Sequence, residues 1–511
     1  MSETTRISGG MKYEEPLIFD RGREGARGFR FHEADWDVPK VDVEELLEAP
    51  LRRDEGPQLP EVSEPDVVRH YTRMSQWNYA IDTGLYPLGS CTMKYNPKLN
   101  EALARLEGFG QLHPYTPDEL AQGALELMWN LEGLLCEISG LDACSLQPAA
   151  GAQGELTGLM CIRAYHLARG DEARTKIIVP DSAHGTNPAS AAFNGFSVIE
   201  VDSDSDGTLS AESVRAVMDE TVAGLMITNP NTLGIFEKEI EEICRIVHEG
   251  GGKVYMDGAN MNAILGQARP GDFGIDVMHY NVHKTFSTPH GGGGPGGGPI
   301  CVHESLEPYL PVPRIERSED SGGGVYFRRV FDEYRESVGK VKAFWGNFLV
   351  YVRAYGYLRS YGSNLPQVSE MAVLNANYLR SSLKDEYHVA FEGRCMHEVV
   401  FDDASYRDLD VSTMDIAKRL IDYGFHPPTV YFPINIDGAL MVEPTETESR
   451  QALDEFVEVM KKVHREAEHD PELLHEAPVN AFRRRLDETQ AARNPVLTYR
   501  KLCQERRKTE Q

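Results

Sequence analysis

His279-Tyr280-Asn281-Val282-His283-Lys284-Thr285-Phe286-Ser287-Thr288-Pro289-His290, followed by the glycine-rich run from Gly291 to Gly298, is the stretch that decides the fold. Ahead of it, Ile275, Val277 and Met278 read as a buried strand that runs out at Lys284, with histidines and hydroxyls on either side. A lysine carried from an apolar strand into a cleft is the setting in which an amine gives up its proton, and a neutral amine can form a Schiff base with a carbonyl. The glycines would let backbone come close to a ligand. Lys-Thr-Phe alone fits a surface lysine in a loop equally well, so the neighbouring motifs decide.

Outward from that stretch the chain alternates. Strands are expected at 176–180, 197–201, 224–228, 253–257, 276–281 and 299–303, with helical spacing over 153–169, 187–194, 211–220 and 238–249. Short strands separated by helices imply a mostly parallel sheet covered on both faces, with ligand-binding residues just after strand C-termini. A helix over 116–139 precedes this region. Beyond about residue 340 the texture changes to helices over 346–361, 367–383, 413–423 and 447–468 and short strands at 388–392, 396–402 and 439–443. The expected fold class is α/β, with a large sheet domain over 116–340 and a smaller C-terminal α+β domain over 341–480. An extended N-terminal arm and a loop segment occupy 1–115, with a short amphipathic piece at 43–51 and a helix at 65–78. A charged tail carrying Arg483-Arg484-Arg485 and Arg506-Arg507-Lys508 fills 481–511.

Composition excludes several classes. At 511 residues the chain exceeds one small core, and 41% hydrophobic with 26% charged residues is ordinary for a globular protein. The net charge of −28 argues against nucleic acid, so any bound phosphate must be held by local amides and a few cations. The 8 cysteines form no CxxC pair and no Cys/His cluster with zinc spacing, so no metal is expected and the thiols read as reduced. The stretch Met1-Ser2-Glu3-Thr4-Thr5-Arg6 has no apolar leader character, and no apolar run reaches membrane-spanning length. The expected location is cytoplasmic, away from membranes.

Four features fall on the cleft edge of the expected sheet. Gln147-Pro148-Ala149-Ala150-Gly151-Ala152-Gln153-Gly154-Glu155 opens a helix with small residues, which leaves backbone amides free for a phosphate. Plain loop-to-helix packing explains it too. Asp181-Ser182-Ala183-His184-Gly185-Thr186-Asn187-Pro188 places a histidine and hydroxyls directly after a strand. That histidine can stack on a flat ring or serve structure alone. Val254-Tyr255-Met256-Asp257-Gly258-Ala259-Asn260 ends an apolar strand in an aspartate, which needs a cation or donor when buried. A pyridinium N–H is such a donor, while a helix N-cap is the plainer role. Lys284 follows about one strand–helix unit later.

Phosphate cradle, ring stacker, pyridinium aspartate and lysine, in that order, describe a pyridoxal phosphate site, and the chain here resembles the fold-type-I pyridoxal phosphate enzymes. More closely it is similar to the glycine cleavage system P-protein family, the decarboxylating glycine dehydrogenases, and within it to subunit 2, the C-terminal half of the split form. The resemblance runs from about Tyr86 to Glu448. Besides the motifs above it rests on Leu88-Gly89-Ser90-Cys91-Thr92-Met93-Lys94-Tyr95-Asn96-Pro97 and Glu443-Pro444-Thr445-Glu446-Thr447-Glu448-Ser449.

The resemblance implies that Lys284 holds pyridoxal 5'-phosphate covalently, that His184 stacks on its ring and that Asp257 pairs with its nitrogen. Ala152, Gln153 and Thr186 would lie near the phosphate or cofactor edge. Ser90, Cys91, Thr92, Lys94, Tyr95 and Asn96 would form a loop over the substrate. The implied activity is decarboxylation of glycine with transfer of the aminomethyl group to the lipoyl arm of the H-protein and release of CO2. The implied partners are P-protein subunit 1, two copies of each subunit forming a heterotetramer, and the lipoylated H-protein. Alternatives are another fold-type-I activity (an aminotransferase, an amino-acid lyase, or a desulfurase using Cys91) or a non-catalytic scaffold half. A dinucleotide site is disfavoured, because the glycine run precedes a strand instead of opening a helix.

Overall fold

The computed structural model describes residues 15–28, 42–53, 55–291, 294, 296–319 and 321–509. Of the sequence readings above, most of the arm's first forty residues and Gly292, Gly293 and Pro295 of the glycine run lie outside them. Contacts divide the chain into two units, Ile81–Glu476 and Met1–Ala80 with Ala477–Gln511.

Within Ile81–Glu476 the large sheet has seven strands: β1 Ala143–Ser145, β2 Lys176–Pro180, β3 Ser197–Val201, β4 Val222–Thr228, β5 Lys253–Asp257, β6 Val277–His279 and β7 Ile300–Val302. Their spatial order is β1-β7-β6-β5-β4-β2-β3. All neighbours are parallel except β7, which is antiparallel to both β1 and β6. Alternate residues feed two cores. Leu225, Ile227, Val254, Met256 and Met278 pack on one face. Ala223, Met226, Tyr255 and Val277 pack on the other. This two-sided burial explains why the central strands read as unbroken apolar runs. The helix Ile240–Glu249 shows how cover is achieved, burying Ile240, Ile243, Cys244, Ile246 and Val247 at helical spacing.

A hairpin follows, β8 Arg314–Glu319 with β9 Val325–Val330. Then comes a four-stranded antiparallel sheet of β10 His388–Val389, β11 Val399–Asp402, β12 Thr429–Val430 and β13 Leu440–Val442, in the order β10-β11-β13-β12. The helices Pro366–Leu383, Thr413–Asp422 and Arg450–His469 close its core around Phe401, Leu440, Val442, Phe456 and Met460. The isolated bridge Leu88–Val442 ties the segment ahead of the large sheet to β13.

In the other unit the tail meets the arm. Trp77 stacks on Phe482 at 4.0 Å and Phe19 on Tyr499 at 4.5 Å, while Arg506 pairs with Asp20 at 3.1 Å. Its helix Glu64–Ser75 begins at a capping box made by Ser63 and Asp66. Among the described residues no helix is long and apolar enough to cross a membrane.

Three details depart from the sequence reading. The strand before Lys284 stops at His279, and the lysine sits in a one-turn helix, Val282–Thr285, closed by Lys284 N–H donating to Asn281 O at 2.9 Å. β1 has three residues, too few to show a period. In the β8–β9 hairpin, β8 has Ile315 as its one apolar residue and β9 runs Val325-Tyr326-Phe327 into Arg328-Arg329, so neither strand shows a period-2 alternation.

Candidate active site

β4, β5 and β6 end side by side at Thr228, Asp257 and His279. The helix Gly151–Ala168 starts at this same edge, and Gly151, Gly154 and Gly158 let it come close. A Cβ on them would lie 2.4 Å from Asn281 Oδ1, 2.7 Å from His279 Cβ and 2.6 Å from Tyr255 Cε2. The helix begins at Ala150 with no side-chain cap, so its first amides are left for another acceptor. A cavity of about 190 Å³ opens here, walled by Gly151, Ala152, Glu155, His184, Thr186 and Thr228, and by Asp257, Asn260, Lys284 and Ser90.

Asp257 is buried and held from several sides. Oδ1 accepts from Ala259 N–H at 2.9 Å and Oδ2 accepts from the Asn187 amide at 3.1 Å. Burial pushes its carboxyl up, but His279, Lys284 and those hydrogen bonds outweigh burial and hold it below the usual carboxylate range. His279 is itself buried, which lowers its imidazole, and the Tyr255 hydroxyl lies 2.5 Å from its Nδ1. An ionised carboxylate at a strand end, facing a cavity, suits a protonated ring nitrogen. The Thr228 hydroxyl on the cavity wall is buried without a partner among the described residues, and the uncapped amides face the same space. These residues fit a flat, phosphorylated pyridine.

A second helix, Thr186–Phe193, brings His184 and Thr186 to the cavity from β2. Thr186 Oγ1 lies 2.9 Å from His184 Nδ1 and 2.8 Å from Glu155 Oε1, and Ser190 Oγ donates to Glu155 Oε2 at 3.2 Å. Glu155 is buried, and burial with the nearby Asp257 pushes its carboxyl up to about 7.

The 88–96 segment is bolted between the two sheets. Ser90 N–H donates to Glu398 Oε2 at 2.8 Å and Thr92 N–H to Glu443 Oε2 at 2.9 Å, with both residues at positive φ, 62° and 45°. Lys94 is buried, donating to Thr285 O at 2.8 Å and pairing with Glu446 at 2.7 Å. The Asn96 amide donates to Ser287 O at 3.0 Å, and Ser287 Oγ donates to Tyr95 O at 2.5 Å. Behind the loop, Glu398, Glu443 and His397 are all fully buried, with His397 Nε2 3.9 Å from each carboxylate. Burial pushes both carboxyls up, Glu443 to about 7, while Lys284 and Lys94 oppose it at Glu443 and Lys284 at Glu398.

The structure thus gathers Lys284, His184, Asp257, Ala152, Thr186 and Ser90 around one cavity. It does not bring Gln153 to the wall. That carboxamide accepts from Ala149 N–H and donates to Val341 O, both at 2.7 Å, joining two backbone segments. Cys91, Thr92, Lys94, Tyr95 and Asn96 lie behind Ser90 and hold the loop, and burial pushes the Cys91 thiol up. Sequence reasoning overlooked Glu155, Thr228 and Asn260 on the wall and Glu398 and Glu443 behind the loop. A glutamate one turn into a glycine-rich helix was the available signal for Glu155. Glu398 had none, since its partner Ser90 is 308 residues away.

Two family models match, the glycine dehydrogenase C-terminal domain over residues 368–482 and aminotransferase class-V over 159–293. A probable glycine dehydrogenase (decarboxylating) subunit 2 from Caldanaerobacter subterraneus is 56% identical, the alignment covering 96% of this chain and 100% of that protein. The chain belongs to the glycine dehydrogenase (decarboxylating) subunit 2 family. Family members from Alkaliphilus oremlandii and Bacillus velezensis are 54% and 53% identical, over 94% and 95% of this chain and 98% of each of theirs. Among solved structures, an inhibitor-bound glycine decarboxylase (P-protein) of the glycine cleavage system superposes with a TM-score of 0.67 at 19% identity, covering 82% of this chain and 93% of its own. A glutamate decarboxylase from Lactobacillus brevis gives 0.63 at 13% identity, covering 83% and 97%. The fold of this family member is the fold-type-I pyridoxal phosphate enzyme fold.

Proposed function

We propose that this chain catalyses the decarboxylation of glycine and passes the aminomethyl group to the lipoyl arm of a carrier protein, the H-protein, releasing CO2. The observation that carries this reading is the convergence of Lys284, Asp257 and His184 on one cavity at the strand ends, in a chain of this family. The cofactor is pyridoxal 5'-phosphate, which when bound accepts the electron pair of the broken Cα–carboxylate bond. Lys284 would hold it. Asp257 would keep its ring nitrogen protonated, and the amides of Gly151 and Ala152 would receive its phosphate. His184 on the cavity wall would offer a flat face to the ring. Per turnover, the lipoyl disulfide breaks, one sulfur takes the aminomethyl group, and the other takes a proton and becomes a thiol.

Glycine has no side chain to grip, so the wall must exclude larger amino acids by size. Ser90 is the loop residue on that wall; the buried Glu398 accepts from its N–H and the buried Glu443 from that of Thr92. A desulfurase needs a reactive thiol in the cavity, and Cys91 is off the wall with its thiol pushed up. The relatives' name, subunit 2, supports a partner subunit; the reading takes that partner as P-protein subunit 1, two copies of each in the assembly, and places the pair in the cytoplasm. The test is exchange of labelled bicarbonate into the glycine carboxyl by this chain with subunit 1 and lipoylated carrier. No exchange above a Lys284→Ala control would overturn the reading.

A further inference from the structure

We propose that His397, Glu398 and Glu443 form a site for one divalent transition cation, zinc being the fitting case, which fastens the 88–96 loop to the four-stranded sheet. This goes beyond the glycine reading and does not depend on it. All three residues are 0% exposed, and their ligand atoms lie within 4.8 Å of one another. Glu398 stands just before β11 and Glu443 just after β13, one residue past the Val399–Val442 pair of that antiparallel register. Two carboxylates facing each other across neighbouring strands repel, and burial makes the repulsion worse unless a cation lies between them. The nearby lysines do not fill that place: Lys94 pairs with Glu446 at 2.7 Å, and Lys284 is on the cavity wall.

The lone pairs are free at one point. Each carboxylate gives one oxygen to the loop, Glu398 Oε2 accepting from Ser90 N–H at 2.8 Å and Glu443 Oε2 from Thr92 N–H at 2.9 Å. The other oxygens, Glu398 Oε1 and Glu443 Oε1, have no hydrogen-bond partner among the described residues. Both lie 3.9 Å from His397 Nε2, and neither ring nitrogen of that histidine has a partner among the described residues. A direct charge-assisted hydrogen bond would close to about 2.7–2.9 Å, so the imidazole is held off from both carboxylates. A point equidistant from three atoms at these separations lies about 2.1–2.5 Å from each, which is the bond length of divalent cations to nitrogen and oxygen. Two carboxylates balance its charge, and the imidazole favours a zinc-type ion over magnesium or calcium, which take oxygen. The Ser90 and Thr92 amides aim the carboxylates from behind, as outer hydrogen bonds do at metal centres. The other close set among the described residues, Glu155, Asp257 and His279, lacks this freedom. Its oxygens meet Thr186, Ser190, Ala259 and Asn187, and its ring nitrogens lie against Tyr255 and Asn281.

The experiment uses the full chain, expressed without a histidine tag and purified without chelator. Elemental analysis should find about one zinc per chain, and a chain stripped by chelator in denaturant and refolded with zinc chloride should recover it. At a hundred-fold excess of zinc over its Kd, the melting temperature of the stripped wild type should rise by about 3 °C. His397→Gln and Glu443→Gln should lose both the bound zinc and that increment. In the stripped state Glu443→Gln should melt at or above the wild type, because it removes one of two facing charges while still accepting from Thr92 N–H, and this separates a lost ligand from a folding defect. Anomalous scattering at the zinc edge in crystals of the loaded chain should place the ion between His397, Glu398 and Glu443. A wild type that neither retains nor recovers zinc, or a Glu443→Gln variant that holds as much of it, overturns the proposal. So does an anomalous peak confined to Glu155, Asp257 and His279 or to a cysteine, or a water refined at the predicted point.

Discussion

At the scale of single residues, Lys284 and Asp257 carry the sharpest expectations. Lys284→Ala should retain the fold, since the side chain is only half-buried in a one-turn helix, and should lower exchange about a thousand-fold or more. Exchange near wild type in a well-folded variant would remove the lysine from the chemistry. Asp257→Asn keeps the hydrogen bond from Ala259 N–H but loses the charge, so cofactor binding should persist while the rate falls about a hundred-fold. Absorbance titration and exchange separate the two effects. Glu443 tests the buried pair behind the loop. Its folded-state carboxyl is raised from 4.5 to about 7, so the native chain binds more protons than the unfolded one in that window, and stability falls as pH rises through it. Glu443→Gln, which can still accept from Thr92 N–H, should flatten the decline of melting temperature between pH 5 and 8. An unaltered slope would mean that Glu443 is ionised throughout.

At the scale of elements, close approach between neighbours matters more than propensity. Gly258 follows β5 directly, and a Cβ there would come to 1.8 Å from the His279 carbonyl oxygen on the adjacent strand. The obstacle is backbone of β6, which cannot swing aside as a side chain can, so Gly258→Ala should cost about 3 kcal/mol or more and weaken cofactor binding with it. Gly108→Ala, with nothing within 4 Å of the new methyl, should be neutral or slightly stabilising and serves as the control. Equal melting temperatures for the two variants would refute the packing argument. Most of these elements were legible in advance because period and punctuation were local. β2, β3 and β5 fall where the sequence places them, residue for residue. The β8–β9 hairpin was not legible, since β8 carries a single apolar residue, Ile315, among charged and polar ones and so resembles a solvated loop.

At the scale of the whole molecule, the relatives are named subunit 2, which implies a partner subunit. Exchange by this chain alone should be near background and should rise on adding the first subunit, with saturation at equal amounts of the two. Full activity without it would return the chain to the self-sufficient fold-type-I enzymes. With a net charge of −28, encounter with a charged partner or carrier should also depend on salt, mainly through the association rate. A rate independent of ionic strength between 20 and 300 mM would exclude steering by this field.

The sequence by itself determined six of the seven strands of the large sheet in chain order, and the polar residues at or just beyond their ends. Asp257 ends an apolar strand and Lys284 and His184 each follow one, and a parallel α/β sheet places such residues on one edge. The division of labour among polar groups was decided only by the tertiary structure. Gln153 and Glu155 sit two residues apart on one helix, yet one ties two backbone segments together and the other meets Thr186 at the cavity. The difference is the direction in which each helix position points, which depends on how closely Gly151, Gly154 and Gly158 let the helix approach β5 and β6. Likewise the loop at Ser90 is held by Glu398 and Glu443, carboxylates brought from a separate sheet at a sequence distance over which no local period survives.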